Sequence, residues 1–315
     1  MTIDLTVPGI GVGRAFGSCG ELLQGVTAQD RHFLVTLPIR RGTVAVFEPS
    51  EDDIVVVPAT KSKAHRLATA MVARSTVLRG GRLTLHSELP EGKGLASSTA
   101  DLVATARAVA DAEGRTVPVG ELEADLRAIE PSDGVMYPGS VAYLHREVRL
   151  LARLGTLPAL TIVTGDEGGS VDTVEFNRNA PRFSRADKRE FDTLLSRLGT
   201  AITHGDLATI GAVSTRSAVL SAASRERPHL DATIRAARAI GAAGVVVAHS
   251  GTTTGILLAD DDPGLREQIV AAQQLCAEFA CSVAVHHSWR PGPQRVPAID
   301  HTHSLSTPRT ESTPR

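Results

Sequence analysis

The segment GKGLASSTADLVATARAV, residues 92–109, carries two glycines and three consecutive hydroxyls, Ser97, Ser98 and Thr99, directly into a helical pattern. Ahead of it LTLHSEL has strand composition, so the local order is strand, glycine loop, helix. The first turn of a helix leaves backbone N–H groups without partners, which makes that end a ready anion site. Gly92 and Gly94 let the backbone come close to a ligand, and the hydroxyls can serve phosphate oxygens or a metal riding on them. Such chemistry suits a nucleotide triphosphate. The loop is not a Walker A sequence, because no glycine precedes the Gly92–Lys93 pair at the required spacing and no Ser or Thr directly follows Lys93. It is not a dinucleotide fingerprint either. On this segment alone, an ordinary helix start with a hydroxyl as N-cap is the plain alternative.

The elements that must hold this loop are short and mixed in type. RRGTVAVFEP and RLTLHSEL alternate apolar and polar residues and DDIVVVP is a short apolar run, which predicts strands. SKAHRLATAMVARSTVLRG, STADLVATARAVADAEG and VGELEADLRAIEP repeat apolar residues at helical spacing and end at glycine or at Pro131. After Gly155, LPALTIVTG reads as a buried strand, followed by helices near 185–199 and 205–223. The helix HLDATIRAARAIGAAG, strands VVVAHSG and TTTGILLAD, helix PGLREQIVAAQQLCAEFA and strand CSVAVHHS complete the pattern. Strands mixed with helices predict an α+β protein in two sandwich-like layers. A boundary is expected near 150–158, and a disordered tail over 290–315, where Pro, Ser, Thr and Arg dominate.

Length and composition bound the function. The chain of 315 residues suits one large or two modest domains. Hydrophobic residues at 42% and charged residues at 22% are globular values, while aromatics at 3% leave the core to Ala, Val, Leu and Ile. A net charge of -2, from Lys+Arg 33 against Asp+Glu 35, lacks the basic excess of a nucleic-acid footprint. No leader pattern opens the chain and no apolar run reaches the roughly 20 residues of a spanning helix. The expectation is a cytoplasmic protein with a small-molecule partner, no nucleic acid and no membrane. Oligomeric state is not legible, and a homodimer stays open. Cys19 in a glycine-rich loop, with Cys276 and Cys281, does not suggest a disulfide framework. HHSW and HTH lack the Cys partner or helical spacing of a metal site.

The stretch Pro90-x-x-x-Gly94-Leu95-Ala96-Ser97-Ser98-Thr99 resembles the phosphate-binding motif of the GHMP small-molecule kinases. Two further segments match in the expected order: FGSCGELLQG, residues 16–25, resembles the family's first motif, and GVVVAHSGTTTGILLA, residues 244–259, its third. Three ordered motifs are far more specific than any one. Within the family, SCGELLQG, KGLASSTAD, EPSD and AHSGTTTG are most similar to the L-threonine kinases that supply O-phosphothreonine for cobalamin. A kinase of homoserine or another hydroxylated metabolite, or a catalytically silent nucleotide-binding regulator, is the alternative. The resemblance implies a ribosomal-protein-S5-like N-terminal domain over 14–154, after an extension over 1–13, and a ferredoxin-like C-terminal domain over 155–289.

The resemblance also implies roles. ATP would be held by Pro90, Lys93 and Gly94 to Thr99, with Mg²⁺ near Ser98 and Glu130. Ser98, Glu130 and Asp133 would be catalytic, Asp133 orienting or deprotonating the acceptor hydroxyl. Only two residues separate Glu130 from Asp133, fewer than in mevalonate-kinase-like relatives, so which carboxylate is the base stays open. Ser18, Cys19, Gly20, Glu21 and Gln24 would line the acceptor pocket, where a carboxylate could receive an ammonium group. Ser250, Gly251, Thr252 and Thr253 would pack beside phosphates and acceptor; a tight hairpin chosen for strand propensity is the plain alternative. Asp172 and Thr173 are further substrate candidates. Cys19 has no legible His or Asp partner and reads as a small pocket residue rather than a nucleophile.

Overall fold

A long antiparallel pair, Gly11–Val26 (β1) and His32–Ser50 (β2), forms the spine of the computed structural model, which describes residues 8–169, 183–222 and 225–290. Val55–Val57 (β3), Ser62–Arg74 (α1), Gly80–Ser87 (β4), Ser97–Ala112 (α2) and Val119–Arg127 (α3) follow, then a hairpin of Ser140–Leu144 (β5) and Arg149–Gly155 (β6). The second half contains Leu160–Asp166 (β7), Arg185–His204 (α4), Leu207–Ser221 (α5), Leu230–Ala239 (α6), Gly244–Val247 (β8), Thr253–Ala259 (β9), Leu265–Ala277 (α7) and Ser282–His287 (β10). All strands join one ten-stranded sheet in the order β10-β7-β9-β8-β1-β2-β4-β3, with β5 on β2 and β6 on β5. The α+β expectation holds. Asp172, Thr173 and the tail beyond Arg290 lie outside the described residues. Among the described residues no helix is long and apolar enough to cross a membrane.

Helix α2 is buried along nearly its whole length, and its alanines explain how. Small side chains on every face let it lie against β1 and β2 on one side and α1 on the other, as a fully enclosed helix requires. A second, smaller core joins β7, β8 and β9 to α5, α6 and α7 through Val163, Val245, Ile256, Ile234 and Ala272. Helix α4 starts on a capping box in which Ser184 accepts from the Asp187 N–H and Asp187 accepts from the Ser184 N–H.

Three local differences from the sequence expectation have physical causes. Cys19 lies not in a loop but within β1, whose later two-thirds hold residues 16–25 and where register shifts after Phe16, Ser18 and Glu21 put bulges into a continuous strand. The glycines that suggested a loop are part of those bulges: Gly20 takes φ +65°, and a Cβ there would meet the Val247 carbonyl at 2.9 Å. Helix α1 stops at Arg74 rather than running to Gly80, because the Ser75 hydroxyl accepts the N–H groups of Val77 (3.1 Å) and Leu78 (2.9 Å). The β5–β6 hairpin, whose outer strand is only half-buried, left no strong pattern to read.

Candidate active site

A cleft of about 430 Å³ opens where two helix N-termini converge, those of α1 and α2. Its wall includes Lys63, Ser98 and Glu130, and also Asp133, Glu21 from β1, and His249 and Ser250 from the turn between β8 and β9. Strand β1 meets β8 in register at Glu21 opposite Val247, so the carboxylate sits on the seam between the two halves of the sheet.

The hydroxyls at the head of α2 do not cap it. The N-cap is Ala96, in the left-handed region at φ +57°, and it makes no side-chain capping bond. Instead the Ser98 hydroxyl donates to Glu130 Oε1, and Thr99 Oγ1 accepts the Asp133 N–H at 3.1 Å. The ordinary-cap alternative therefore gives way: the side chains hold the Glu130 carboxylate and the Asp133 backbone, and among the described residues no side chain caps the leading amides of the helix. The Glu130–Asp133 segment is fixed further by Ser132, whose N–H donates to the His145 carbonyl (3.0 Å) and whose hydroxyl donates to the Glu130 carbonyl (3.1 Å).

The three sequence motifs touch. From β1 the Gly20 N–H donates to Gly94 O and the Ser18 N–H to Leu95 O, each at 3.2 Å. From the far turn, Thr253 Oγ1 donates to Lys93 O at 2.6 Å. Gly94 and Gly251 lie back to back: a Cβ on Gly94, which has φ +82°, would collide with the Ala248 side chain, and one on Gly251 with the Lys93 and Gly94 backbone. The glycine loop is thus clamped between the first and third motifs.

The candidates divide between wall and scaffold. Glu21, Gly94, Leu95, Ala96, Ser97, Ser98, Thr99, Glu130, Asp133 and Ser250 line the cleft. Pro90, Ser18, Cys19, Gly20, Gln24, Gly251, Thr252 and Thr253 do not. Ser18 is spent inside the sheet, donating to Gly20 O and accepting the Leu37 N–H, both at 3.0 Å. Burial pushes the Cys19 thiol up to about 12, with Glu21 adding to the shift, so it is held as a thiol. Lys93 is turned off the cleft wall, its ammonium 2.7 Å from Asp166 Oδ2 and 2.7 Å from Gly169 O, while the Thr252 hydroxyl donates to the other Asp166 oxygen.

Sequence reasoning missed the lysines that do face the cleft. Lys61 reaches Glu91 Oε1 and Asp101 Oδ2, both at 2.6 Å, and Thr43 Oγ1 holds the second Asp101 oxygen at 2.7 Å. Lys63 reaches Glu130 Oε2 at 2.5 Å. A signal existed: Lys61-Ser62-Lys63 opens a helix with no acidic residue in its first turn, against the preference of a helix N-terminus for negative charge.

The Glu21 end has the opposite electrostatics. Glu21 is 5% exposed, and its Oε2 has no hydrogen-bond partner among the described residues. Burial raises its carboxyl well above the usual range, and Asp133 adds to the shift. Asp133 keeps a face open to the cleft, yet burial pushes its carboxyl up to about 6, with Glu130 contributing. His249 offers no countercharge: burial, then the Arg146 guanidinium, lowers it to about 3, and its Nδ1 lies 2.8 Å from Gln24 Oε1. Two carboxyl groups therefore share this end of the cleft with no ion pair to either among the described residues.

Comparison with known proteins agrees with this geometry. The chain matches the GHMP kinases N terminal domain over residues 62–137 and the GHMP kinases C terminal domain over residues 200–275. It is 26% identical over 247 residues to an L-threonine kinase of Citrobacter freundii, covering 76% of this chain and 84% of that one. An L-threonine kinase of Salmonella typhimurium is 25% identical over 255 residues, 79% of this chain and 83% of its own. Among solved structures, a homoserine kinase from Cytophaga hutchinsonii superposes with a TM-score of 0.66 at 16% identity, over 92% of this chain and 96% of that one. With its motifs clamped into one cleft and both halves of the family matched in order, the chain belongs to the GHMP kinases, phosphotransferases that use a hydroxyl group as acceptor.

Proposed function

We propose that this kinase phosphorylates the side-chain hydroxyl of L-threonine, giving O-phospho-L-threonine and ADP. The observation that carries the reading is the buried Glu21 carboxyl, without a partner at Oε2 among the described residues and adjacent to Asp133. A buried carboxylate without a countercharge is costly, and an acceptor bearing an ammonium group supplies that charge. The two L-threonine kinase relatives support threonine among amino acids with a hydroxyl. The reading assigns the reaction to the cytoplasm, in the supply of O-phosphothreonine for cobalamin.

The chain's own residues divide the work. The unspent amides at the head of α2 and the Gly94–Ala96 backbone receive the phosphates of ATP. Glu130 and Ser98 are adjacent hard oxygen donors, and the Lys63 ammonium already rests against them, so this position suits a cation. These two residues would hold Mg²⁺, which supplies charge neutralisation to the triphosphate when bound. Glu21 binds and orients the acceptor ammonium. The acceptor oxygen then forms a bond to the γ-phosphorus, the bond from that phosphorus to the β–γ bridging oxygen breaks, and ADP leaves. Asp133 takes the hydroxyl proton; a carboxyl held near 6 is ionised for a large fraction of molecules at neutral pH. Thr99 and Ser132 keep that carboxylate's backbone in place.

ADP release with threonine, homoserine and serine as competing acceptors tests the reading. Threonine is expected to have the highest kcat/KM; a higher value for homoserine transfers the assignment to that acceptor. ATP binding with no turnover of any hydroxylated amino acid refutes the proposal.

A further inference from the structure

Lys61 and Lys63 both stand at the positive pole of α1, and the structure treats them differently. Lys61 has 13% of its side chain exposed and is gripped by Asp101 and Glu91, a closed strut with Thr43 behind it. Lys63 keeps 48% of its side chain exposed, lines the cleft, and rests with Nζ 2.5 Å from Glu130 Oε2 and 3.4 Å from Ser98 Oγ. Its ammonium therefore occupies the very oxygens assigned above to a divalent cation.

The two cations cannot share them. Like charges about 4 Å apart repel more strongly than a half-exposed lysine gains from a single ion pair, so the divalent ion displaces the ammonium. Lys63 sits in the first turn of its helix on a flexible four-carbon stem, beside the uncapped start of α2. The anion that arrives within its reach is the triphosphate itself. We propose that Lys63 is an exchanging cation: without nucleotide it neutralises Glu130 and fills the metal position, and with nucleotide its ammonium moves to a phosphate oxygen. The proposal rests on the kinase reading of this cleft and on Glu130 and Ser98 as the metal position, but not on which acceptor is used. It accounts for a lysine at a helix end that repels positive charge, and for its greater exposure than the neighbouring Lys61.

The exchange makes two effects of opposite sign in one variant. Lys63→Met uncovers Glu130, so Mn²⁺ binding to the nucleotide-free protein, read by electron paramagnetic resonance, is expected to tighten about fivefold. The same variant loses a phosphate contact, so the Kd for a non-hydrolysable ATP analogue with Mg²⁺, read by calorimetry, is expected to rise about tenfold. Lys63→Arg, which keeps the charge, is expected to restore analogue binding to within about threefold. If Mn²⁺ binding does not tighten, or analogue binding does not weaken, the exchange is wrong. A parent protein that binds no analogue at all refutes the kinase reading instead, which separates the two failures.

Discussion

The two ends of the cleft solve opposite electrostatic problems. At the phosphate end every acid already has a cation or donor: Glu130 holds Lys63 and Ser98, and Asp101 holds Lys61 and Thr43. At the acceptor end Glu21 and Asp133 are desolvated side by side, and the neighbouring imidazole is kept neutral. One end is internally balanced; the other is left unbalanced, and in the proposed reaction the ammonium of the acceptor completes it. Nucleotide binding should therefore tolerate changes at the acceptor end, whereas acceptor binding and chemistry should not.

Asp133→Asn puts the largest strain on that contrast. Turnover is expected to fall about a thousandfold through loss of the proton acceptor, with the Kd for ATP changed by less than about twofold. A variant with near-parental kcat would move the base elsewhere. Next in size, Glu21→Gln keeps the shape but removes the charge, so the KM for an amino-acid acceptor should rise about 10- to 100-fold while ATP binding holds. An unchanged KM would mean that no ammonium is received there. Gly94→Ala sharpens the other side: a Cβ at φ +82° facing Ala248 should lower stability by about 2 kcal/mol and weaken ATP binding, with little effect on the acceptor.

The smallest effect is on stability and depends on pH. The Asp133 carboxyl, near 6 in the fold against 3.8 when unperturbed, binds its proton more tightly in the native state. Its burial thus favours the fold while protonated, and stability is lost as pH rises from about 4 through about 6. Asp133→Asn is expected to stabilise the free protein by about 2 kcal/mol at pH 7.5 and not at all at pH 4, a gain of a few degrees in Tm. Equal melting curves at both pH values would show that the acceptor end is better solvated than its burial indicates.

The sequence made the phosphate loop legible because its chemistry is local. Glycines, hydroxyls and a helix start fall within ten residues of one another, and the helix boundaries near 97 and 112 follow from its alanine pattern. The first motif was harder, since Gly20 and Gly25 mark bulges and close packing inside a strand as readily as they mark a loop. Side-chain direction was not legible at all. Nothing in the local sequence says that Lys93 turns to Asp166, more than 70 residues later, or that Lys63 turns to Glu130 across two intervening helices. Those pairings belong to the tertiary fold, as does the neutrality of His249, which comes from burial and from Arg146.

The placement of Glu21 opposite Val247 couples two requirements in one residue. The residue proposed to receive the acceptor is also a rung of the splice by which the leading strand is stitched to the trailing half of the molecule. A descendant that takes a differently charged acceptor must therefore change this side chain without loosening the backbone behind it. Innovation in substrate choice is hemmed in here by masonry, and variation should collect on the neighbouring turn at His249 and Ser250 instead.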